Sequence, residues 1–177
     1  RMLQTIHHRG PDESGVYLDQ TVGLGSARLS IVDLASGQQP ITNQDGSLWI
    51  VFNGEIFNHP ELRRELEARG GHQFYTQSDT EVLPHLYEEH GIDCLQRLNG
   101  QFAIAIWDSR RRSLFLARDR LGIRPLFYRM DPGGMSFASE IKALIVVRGL
   151  QARLDPRALA QTFTFWAPLA PRTAFRE

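Results

Sequence analysis

Four short polar clusters in the sequence carry side chains that could do chemistry. Arg28 could bind an anion through its planar guanidinium group, and Asp79 could pair with a cation. The amide of Asn53, next to Gly54 and Glu55, could donate a hydrogen bond to a negatively charged oxygen. The clusters occupy residues 8–13, 28–33, 53–59 and 78–81. Turn formation alone does not require polar groups in this combination.

Each cluster also has a simpler interpretation. Asn53 and Gly54 follow a strand-like run and could form a type I′ hairpin turn. Arg28 could be one half of a surface ion pair, and Asp79 could merely stabilise a helix N-terminus. Taken one at a time, the clusters leave these alternatives open.

The cysteine and the histidines indicate no further site. Cys94 lies at helical spacing among apolar neighbours, which is typical of a buried structural cysteine rather than a nucleophile. His7 and His8 lie at the predicted end of a helix and would interact with its dipole. The other four histidines have no spacing typical of metal ligands, so we expect no metal site; they are His59, His72, His85 and His90. Walker, dinucleotide-binding and Gly-x-Ser-x-Gly motifs are absent from the sequence.

Composition excludes several classes of protein. The 177 residues include 20 Lys and Arg against 20 Asp and Glu, and 42% are hydrophobic, which disfavours a nucleic-acid binder or a disordered tail. The longest apolar runs are far shorter than the roughly 18 residues that cross a bilayer. One cysteine permits no internal disulfide and is compatible with a reducing compartment. We therefore expect one globular, cytoplasmic domain without nucleic-acid or membrane partners.

Alternating and helical patterns place the clusters on an α+β scaffold. The run 101–107 is apolar on both faces, which predicts a strand covered on both sides. Strands are predicted at 15–18, 22–28, 48–53, 101–108, 114–118, 126–130 and 135–138, and helices at 60–69, from 78–81 (capping-box spacing) to 91, and from about 139. Both termini look cut: residues 2–8 resemble the end of a helix, and Asp155 with Pro156 starts another close to the end of the chain.

Together, the clusters resemble one family: the class II glutamine amidotransferase domain of glutamine-hydrolysing asparagine synthetases. The resemblance also includes residues 98–103, 118–126 and 138–144, and it covers the whole chain. It implies a four-layer αββα sandwich of the N-terminal-nucleophile hydrolase type, here without its first strand. Residues 1–153 would form this glutaminase domain, and residues 154–177 would begin the linker to an ATP-dependent synthetase domain.

The resemblance also implies a role for each matching position. Arg28 would bind the α-carboxylate of glutamine, helped by main-chain groups around Leu29, Ile31 and Val32. Asp79, assisted by Glu55, would bind the α-ammonium group. The side chain of Asn53 and the backbone N–H of Gly54 would form the oxyanion hole.

The family's nucleophile is an N-terminal cysteine, whereas residue 1 here is arginine. The chain as given should therefore be inactive, and ATP, Mg²⁺ and aspartate would bind in a synthetase domain outside it. Alternatives are a relative that amidates another acceptor and a non-catalytic pseudo-glutaminase lobe. The resemblance is also compatible with a homodimer.

Overall fold

The computed structural model describes residues 1–29, 37–147 and 151–176. Ile31 and Val32, two predicted contributors to the carboxylate site, lie outside these residues. Contacts divide the chain into a larger unit, Leu3–Leu126, and a smaller one, Phe127–Glu177 with Arg1–Met2. Each unit is described separately.

Two antiparallel sheets form the larger unit. Strands β1 (Glu13–Leu18) and β2 (Gly23–Arg28) make a hairpin. The second sheet has the order β3-β4-β5-β6, and its strands are β3 (Ile41–Thr42), β4 (Leu48–Ile56), β5 (Gly100–Asp108) and β6 (Ser113–Arg118). The predicted strands of this region are present, and the short β3 is an additional strand.

Helices cover one face of the second sheet. They are α2 (His59–Arg69) and α3 (Val82–His90), with 3-10 turns at Asp79–Glu81 and Gly91–Arg97. A short helix α1 (Met2–Thr5) and a 3-10 turn at His7–Arg9 come before β1 in the chain. Ile50, Phe52 and Ile56 of β4 alternate along one face and belong to a buried core. That core includes Leu62 of α2 and Leu86 of α3. Alternation in β4 therefore directs one set of side chains to the helices.

The β1–β2 hairpin contacts the other face of β4 and β5. The ring of Tyr17 stacks on that of Trp49, with centroids 4.2 Å apart. Trp107, the β5 partner of Trp49, donates from Nε1 to Asp19 Oδ2 at 2.8 Å. Because residues 102–108 of β5 are all buried, the prediction of a strand covered on both sides is confirmed.

The smaller unit contains a second hairpin and two helices. Its elements are β7 (Phe127–Asp131), β8 (Gly134–Ala138), α4 (Ile141–Ile145) and α5 (Pro156–Phe165). Asp155 caps α5 by accepting a hydrogen bond from the N–H of Arg157 at 2.9 Å, as predicted.

The structure corrects two local interpretations of the sequence. Asn53 and Gly54 do not form a hairpin turn, because both lie inside β4 and pair with Ala103 and Phe102 of β5. The capping box forms only in part: Ser78 Oγ accepts a hydrogen bond from the N–H of Thr80 at 3.2 Å, but Glu81 does not complete the motif. The carboxylate of Glu81 instead accepts hydrogen bonds from the N–H groups of Tyr75 and Thr76, at 2.6 and 2.8 Å.

Candidate functional site

Along one edge of β4, backbone N–H groups donate hydrogen bonds to side chains and not to another strand. The short β3 pairs only with Trp49 and Ile50, and no other strand of the described residues pairs with the edge beyond them. There, the N–H of Phe52 donates to Gln39 Oε1 at 2.8 Å. The N–H of Ile56 donates to Asp79 Oδ2 at 2.9 Å. Side-chain acceptors thus occupy two alternate positions of this edge.

The N–H of Gly54 lies between those two occupied positions. Backbone N–H groups of a strand point alternately to its two sides, so the N–H groups of residues 52, 54 and 56 share one direction. The partner of Gly54 is Phe102, whose own N–H and C=O bond to Asp119 on the far side of β5. Among residues 1–29, 37–147 and 151–176, the N–H of Gly54 has no acceptor. Within this part of the chain it is an unused donor on a fixed backbone.

Close packing explains why residue 54 is glycine. A Cβ atom at this position would lie 2.1 Å from the carbonyl oxygen of Gln101 and 2.8 Å from Cα of Phe102. Both are backbone atoms of the paired strand, so no side-chain rotation could relieve the clash. Glycine therefore permits the β4–β5 approach that fixes the direction of the donor.

Asn53 and Glu55 project from the opposite face of β4 to the helix-packed core. They alternate with Phe52 and Ile56 and share the face on which Trp49 stacks against the β1–β2 hairpin. The side chain of Asn53 is partly buried, and within the described part of the chain it makes no hydrogen bond. Its amide is therefore available next to the free N–H of Gly54.

Asp79 places a buried carboxylate against the same end of β4. The residue is 6% exposed and lies in the 3-10 turn before α3. Burial raises the pKa of Asp79, and the negative charge of Glu55 adds to this, while the Ile56 N–H and His59 oppose it. An ionised Asp79 beside Glu55 is thus costly, and a cation bound there would offset the cost. The structure brings Asn53, Gly54, Glu55 and Asp79 together.

Arg28 lies at the end of β2, in the other sheet of this unit. Its Nη1 forms an ion pair with Glu13 Oε2 at 2.9 Å, and its side chain is 11% exposed. Glu13 is opposite Arg28 in the hairpin, so strand pairing creates this contact. The ion-pair interpretation of Arg28 is therefore correct, although the pair is largely buried. The neighbouring Leu29 is 52% exposed.

Cys94 is confirmed as a buried residue. It is 1% exposed in the core, and burial raises the pKa of its thiol to about 11. The thiol is neutral near pH 7 and is therefore a poor nucleophile.

Asp119 is a supporting residue to which sequence reasoning assigned no role. Its carboxylate accepts hydrogen bonds from the N–H groups of Phe102, Leu121, Ile123 and Arg124, at 3.0–3.2 Å. Burial opposes ionisation, but these donors lower the pKa of Asp119 overall. The residue lies in the motif at 118–126, but its partners are backbone groups and leave no trace in side-chain patterns.

A second polar group lies along α3. His72 Nδ1, His85 Nδ1 and Glu88 Oε2 approach one another within 3.2–3.5 Å, although the sequence predicts no metal ligands here. The only sequence signal is His85 and Glu88 three residues apart on one helix. His72 is 13 positions away from His85, in the segment before α3. This group can hold a metal ion.

None of the helices in the described ranges is long and apolar enough to span a membrane.

A family model described as "Glutamine amidotransferase domain" matches residues 1–177. The chain is 45% identical over 175 residues to asparagine synthetase [glutamine-hydrolyzing] 3 of Bacillus subtilis, covering 98% of this chain and 28% of that protein. It is 49% identical over 143 residues to asparagine synthetase 2 of the same organism, covering 81% and 19%. The chain thus spans about a quarter of the length of the curated relatives that it matches.

Solved structures show the same fold. Glutamine phosphoribosylpyrophosphate amidotransferase from B. subtilis, determined with ADP and GMP, superimposes with a TM-score of 0.65 at 27% identity, covering 88% of this chain and 42% of that one. A structure described as the allosteric regulatory enzyme of purine biosynthesis gives 0.56 at 30% identity, covering 69% and 28%. The predicted α+β fold of the N-terminal-nucleophile hydrolase type is confirmed.

Proposed function

We infer a function from one premise: the chain belongs to the glutamine amidotransferase domain family. We propose that it is the glutaminase part of an asparagine synthetase, which hydrolyses glutamine to glutamate and ammonia. The ammonia would then serve the ATP-dependent amidation of aspartate to asparagine. The identities of 45–49% to glutamine-hydrolysing asparagine synthetases support this assignment.

The free N–H of Gly54 is the observation that carries the proposal. Amide hydrolysis passes through a tetrahedral intermediate whose oxygen becomes negatively charged, and fixed donors directed at that oxygen stabilise it. The backbone of Gly54 is held by its pairing with β5, and the adjacent amide of Asn53 supplies a second donor. Both donors are in place before the substrate arrives, so little reorganisation is needed.

The charged groups fit the two ends of glutamine. Asp79, assisted by Glu55, binds the α-ammonium group, which offsets the cost of two neighbouring carboxylates. Arg28 binds the α-carboxylate, with main-chain groups around Leu29, Ile31 and Val32. The planar guanidinium of Arg28 matches the geometry of a carboxylate, as its 2.9 Å contact with Glu13 Oε2 illustrates.

The nucleophile in this proposal is a cysteine that precedes Arg1 in the complete protein. Its thiolate attacks the side-chain amide carbon of glutamine, and its α-amino group takes the thiol proton and passes it to the departing ammonia. Water then hydrolyses the thioester to glutamate. Cys94 is not a substitute, because its raised pKa keeps the thiol neutral.

Further parts of the proposal lie outside residues 1–177. A synthetase region, whose linker begins near Leu154, holds ATP and Mg²⁺ and activates aspartate. We place the enzyme in the cytoplasm, and a homodimer is its proposed assembly.

Asn53→Ala in the complete protein tests the oxyanion role. We expect the kcat for glutamine hydrolysis to fall about 10²- to 10³-fold with little change in KM. Asparagine formation from aspartate and free ammonia should survive, because it bypasses the glutaminase site. Asn99→Ala is the matched control, since Asn99 is exposed.

Two results would contradict parts of the proposal. A loss confined to the KM for glutamine would remove the oxyanion role from Asn53. Hydrolysis of glutamine without amidation of aspartate would mean that the acceptor is a different acid.

A further inference from the structure

We propose that this chain contains a zinc site formed by Nδ1 of His72, Nδ1 of His85 and Oε2 of Glu88. The site is separate from the residues assigned to glutamine and does not depend on the proposed function. Two imidazole nitrogens and one carboxylate oxygen are a ligand set that zinc commonly uses in proteins.

The spacing of the three atoms fits a tetrahedral ion. The two Nδ1 atoms are 3.2 Å apart, and Glu88 Oε2 lies 3.5 Å from His72 Nδ1 and 3.4 Å from His85 Nδ1. Zinc bonds of about 2.0–2.1 Å at tetrahedral angles separate neighbouring ligand atoms by about 3.3–3.4 Å. Octahedral angles at the same bond lengths would give about 2.9 Å. The observed triangle matches the tetrahedral case.

Local structure brings these ligands together. His85 and Glu88 are three residues apart and share a face of α3. His72 lies in the segment between α2 and the turn at Asp79, shortly after Gly70 and Gly71, which both have positive φ. Phe74 packs against the ring of His85, with centroids 4.6 Å apart, and helps to hold that segment on α3.

Hydrogen bonds around the cluster orient the ligand atoms. His72 Nε2 lies 3.0 Å from Glu89 Oε1, an arrangement in which Nε2 carries the proton and Nδ1 presents its lone pair to the cluster. Asn43 Nδ2 donates to the other oxygen of Glu88 at 2.7 Å. Outer groups of this kind are a regular feature of zinc sites, because they fix ring tautomers and carboxylate orientation.

Access and burial also suit an ion. The side chains of His72 and His85 are 9% and 2% exposed, which lowers the local dielectric, whereas that of Glu88 is 34% exposed. An ion can therefore enter past Glu88 and complete its coordination with water. Bound zinc would tie the segment from 71 to 78, which contains no helix or strand, to α3.

Direct metal binding to the purified, untagged complete protein tests the proposal. Zinc would be stripped with a chelator and returned as zinc chloride, with binding measured by competition against a zinc indicator and stoichiometry by elemental analysis. Glu88→Gln is the main variant because Glu88 is partly exposed and its removal leaves the core intact. His90→Gln is the matched control, a histidine on the same helix but outside the cluster.

We expect Glu88→Gln and His72→Gln to lower the zinc affinity at least tenfold. In elemental analysis each variant should contain one zinc ion per chain fewer than the wild type, while the control should bind zinc like the wild type. Glu89→Gln should weaken zinc about 10- to 100-fold through His72. Cobalt in place of zinc should give the visible absorption of a tetrahedral site, lost in Glu88→Gln. If His85→Gln does not fold, the other variants still decide the question.

Equal zinc affinity and stoichiometry in the wild type, Glu88→Gln and His72→Gln would overturn the proposal. So would an octahedral cobalt spectrum that is unchanged by Glu88→Gln. In either case His72, His85 and Glu88 form only a hydrogen-bonded cluster.

Discussion

Asp79 and Asp119 are two buried carboxylates next to the same pair of strands, and they differ in how completely the protein satisfies them. Asp119 accepts four backbone N–H groups on one side of β5, and its pKa is lowered although burial opposes this. Asp79 accepts the N–H of Ile56 at the outer edge of β4, and burial together with Glu55 raises its pKa. The protein alone stabilises the charge of Asp119 but not that of Asp79.

This difference separates a structural carboxylate from one suited to a ligand. A carboxylate surrounded by fixed donors gains nothing further from a cation, whereas one that is buried next to another anion does. Asp119 therefore supports β5 opposite Gly54, whereas Asp79 suits the substrate-binding role that we propose for it.

Gly54→Ala should have the largest effect, because it disturbs the strand pair on which both carboxylates depend. The new Cβ would meet backbone atoms of Gln101 and Phe102, so β4 and β5 must separate. We expect the free energy of unfolding to fall by about 4 kcal/mol or more, measured by urea denaturation. Gly23→Ala is the control, since its Cβ would meet only the end of the Leu18 side chain. Equal stability of Gly54→Ala and the wild type would contradict the close approach.

Asp119→Asn should destabilise the protein by about 3 kcal/mol. The amide nitrogen would face backbone N–H groups that now have an acceptor, leaving buried donors unpaired. Urea denaturation measures the free energy of unfolding, and Asp93→Asn is the control because Asp93 is exposed. If the two variants were equally stable, the supporting role of Asp119 would be wrong.

Asp79→Asn should damage binding and spare the fold. The amide oxygen can still accept from the N–H of Ile56, but the charge proposed to bind the ammonium group is lost. We expect the KM for glutamine to rise about 30-fold, or about 2 kcal/mol, with no loss of unfolding free energy. Glutamine kinetics of the variant check the rise in KM, and urea denaturation of the same sample checks that the free energy of unfolding is unchanged. A variant that loses stability but keeps its KM would reverse the assignment.

The smallest effect is in the pH dependence of stability, where the two residues should act with opposite sign. A raised folded pKa means that Asp79 takes up its proton more readily in the folded state. Relative to Asp79→Asn, the wild type should therefore gain stability as the pH falls from that raised pKa to about 3.9, the unfolded value.

A lowered folded pKa has the reverse consequence for Asp119. Its contribution should be complete above pH of about 3.9 and be lost as the pH falls from there through the folded pKa. Urea denaturation across this pH range, with each wild-type and Asn pair compared, measures both trends. Parallel trends for the two aspartates would remove the contrast between them.

Much of the scaffold could be predicted from side-chain patterns, because alternation in β4 and β5 is a direct record of their two buried faces. The passage of β4 through Asn53 and Gly54 could not, since this pair locally favours a turn and only pairing with β5 overrides that preference. The resemblance identified Asn53, Gly54 and Asp79 without showing how they meet. Their catalytic and binding roles, like those of Arg28 and Glu55, remain predictions.

The residues that were missed depend on contacts that a linear pattern does not contain. Asp119 binds backbone groups, which every residue carries, so its function is invisible in the sequence. His72 reaches His85 and Glu88 only because the chain between α2 and α3 folds back on the helix. A boundary between domains at Leu154 likewise remains a prediction.

The continuous pairing of Leu48–Ile56 with Gly100–Asp108 fixes the register of the strand that carries Asn53 and Gly54. A shift of one residue would turn Asn53 and Glu55 into the helix-packed core and would remove Ile50 and Phe52 from it. Such a chain would lose most of its stability, so misaligned molecules would unfold rather than accumulate as folded but inactive protein. Molecules that fold in the correct register hold the N–H of Gly54 in the direction proposed for oxyanion binding.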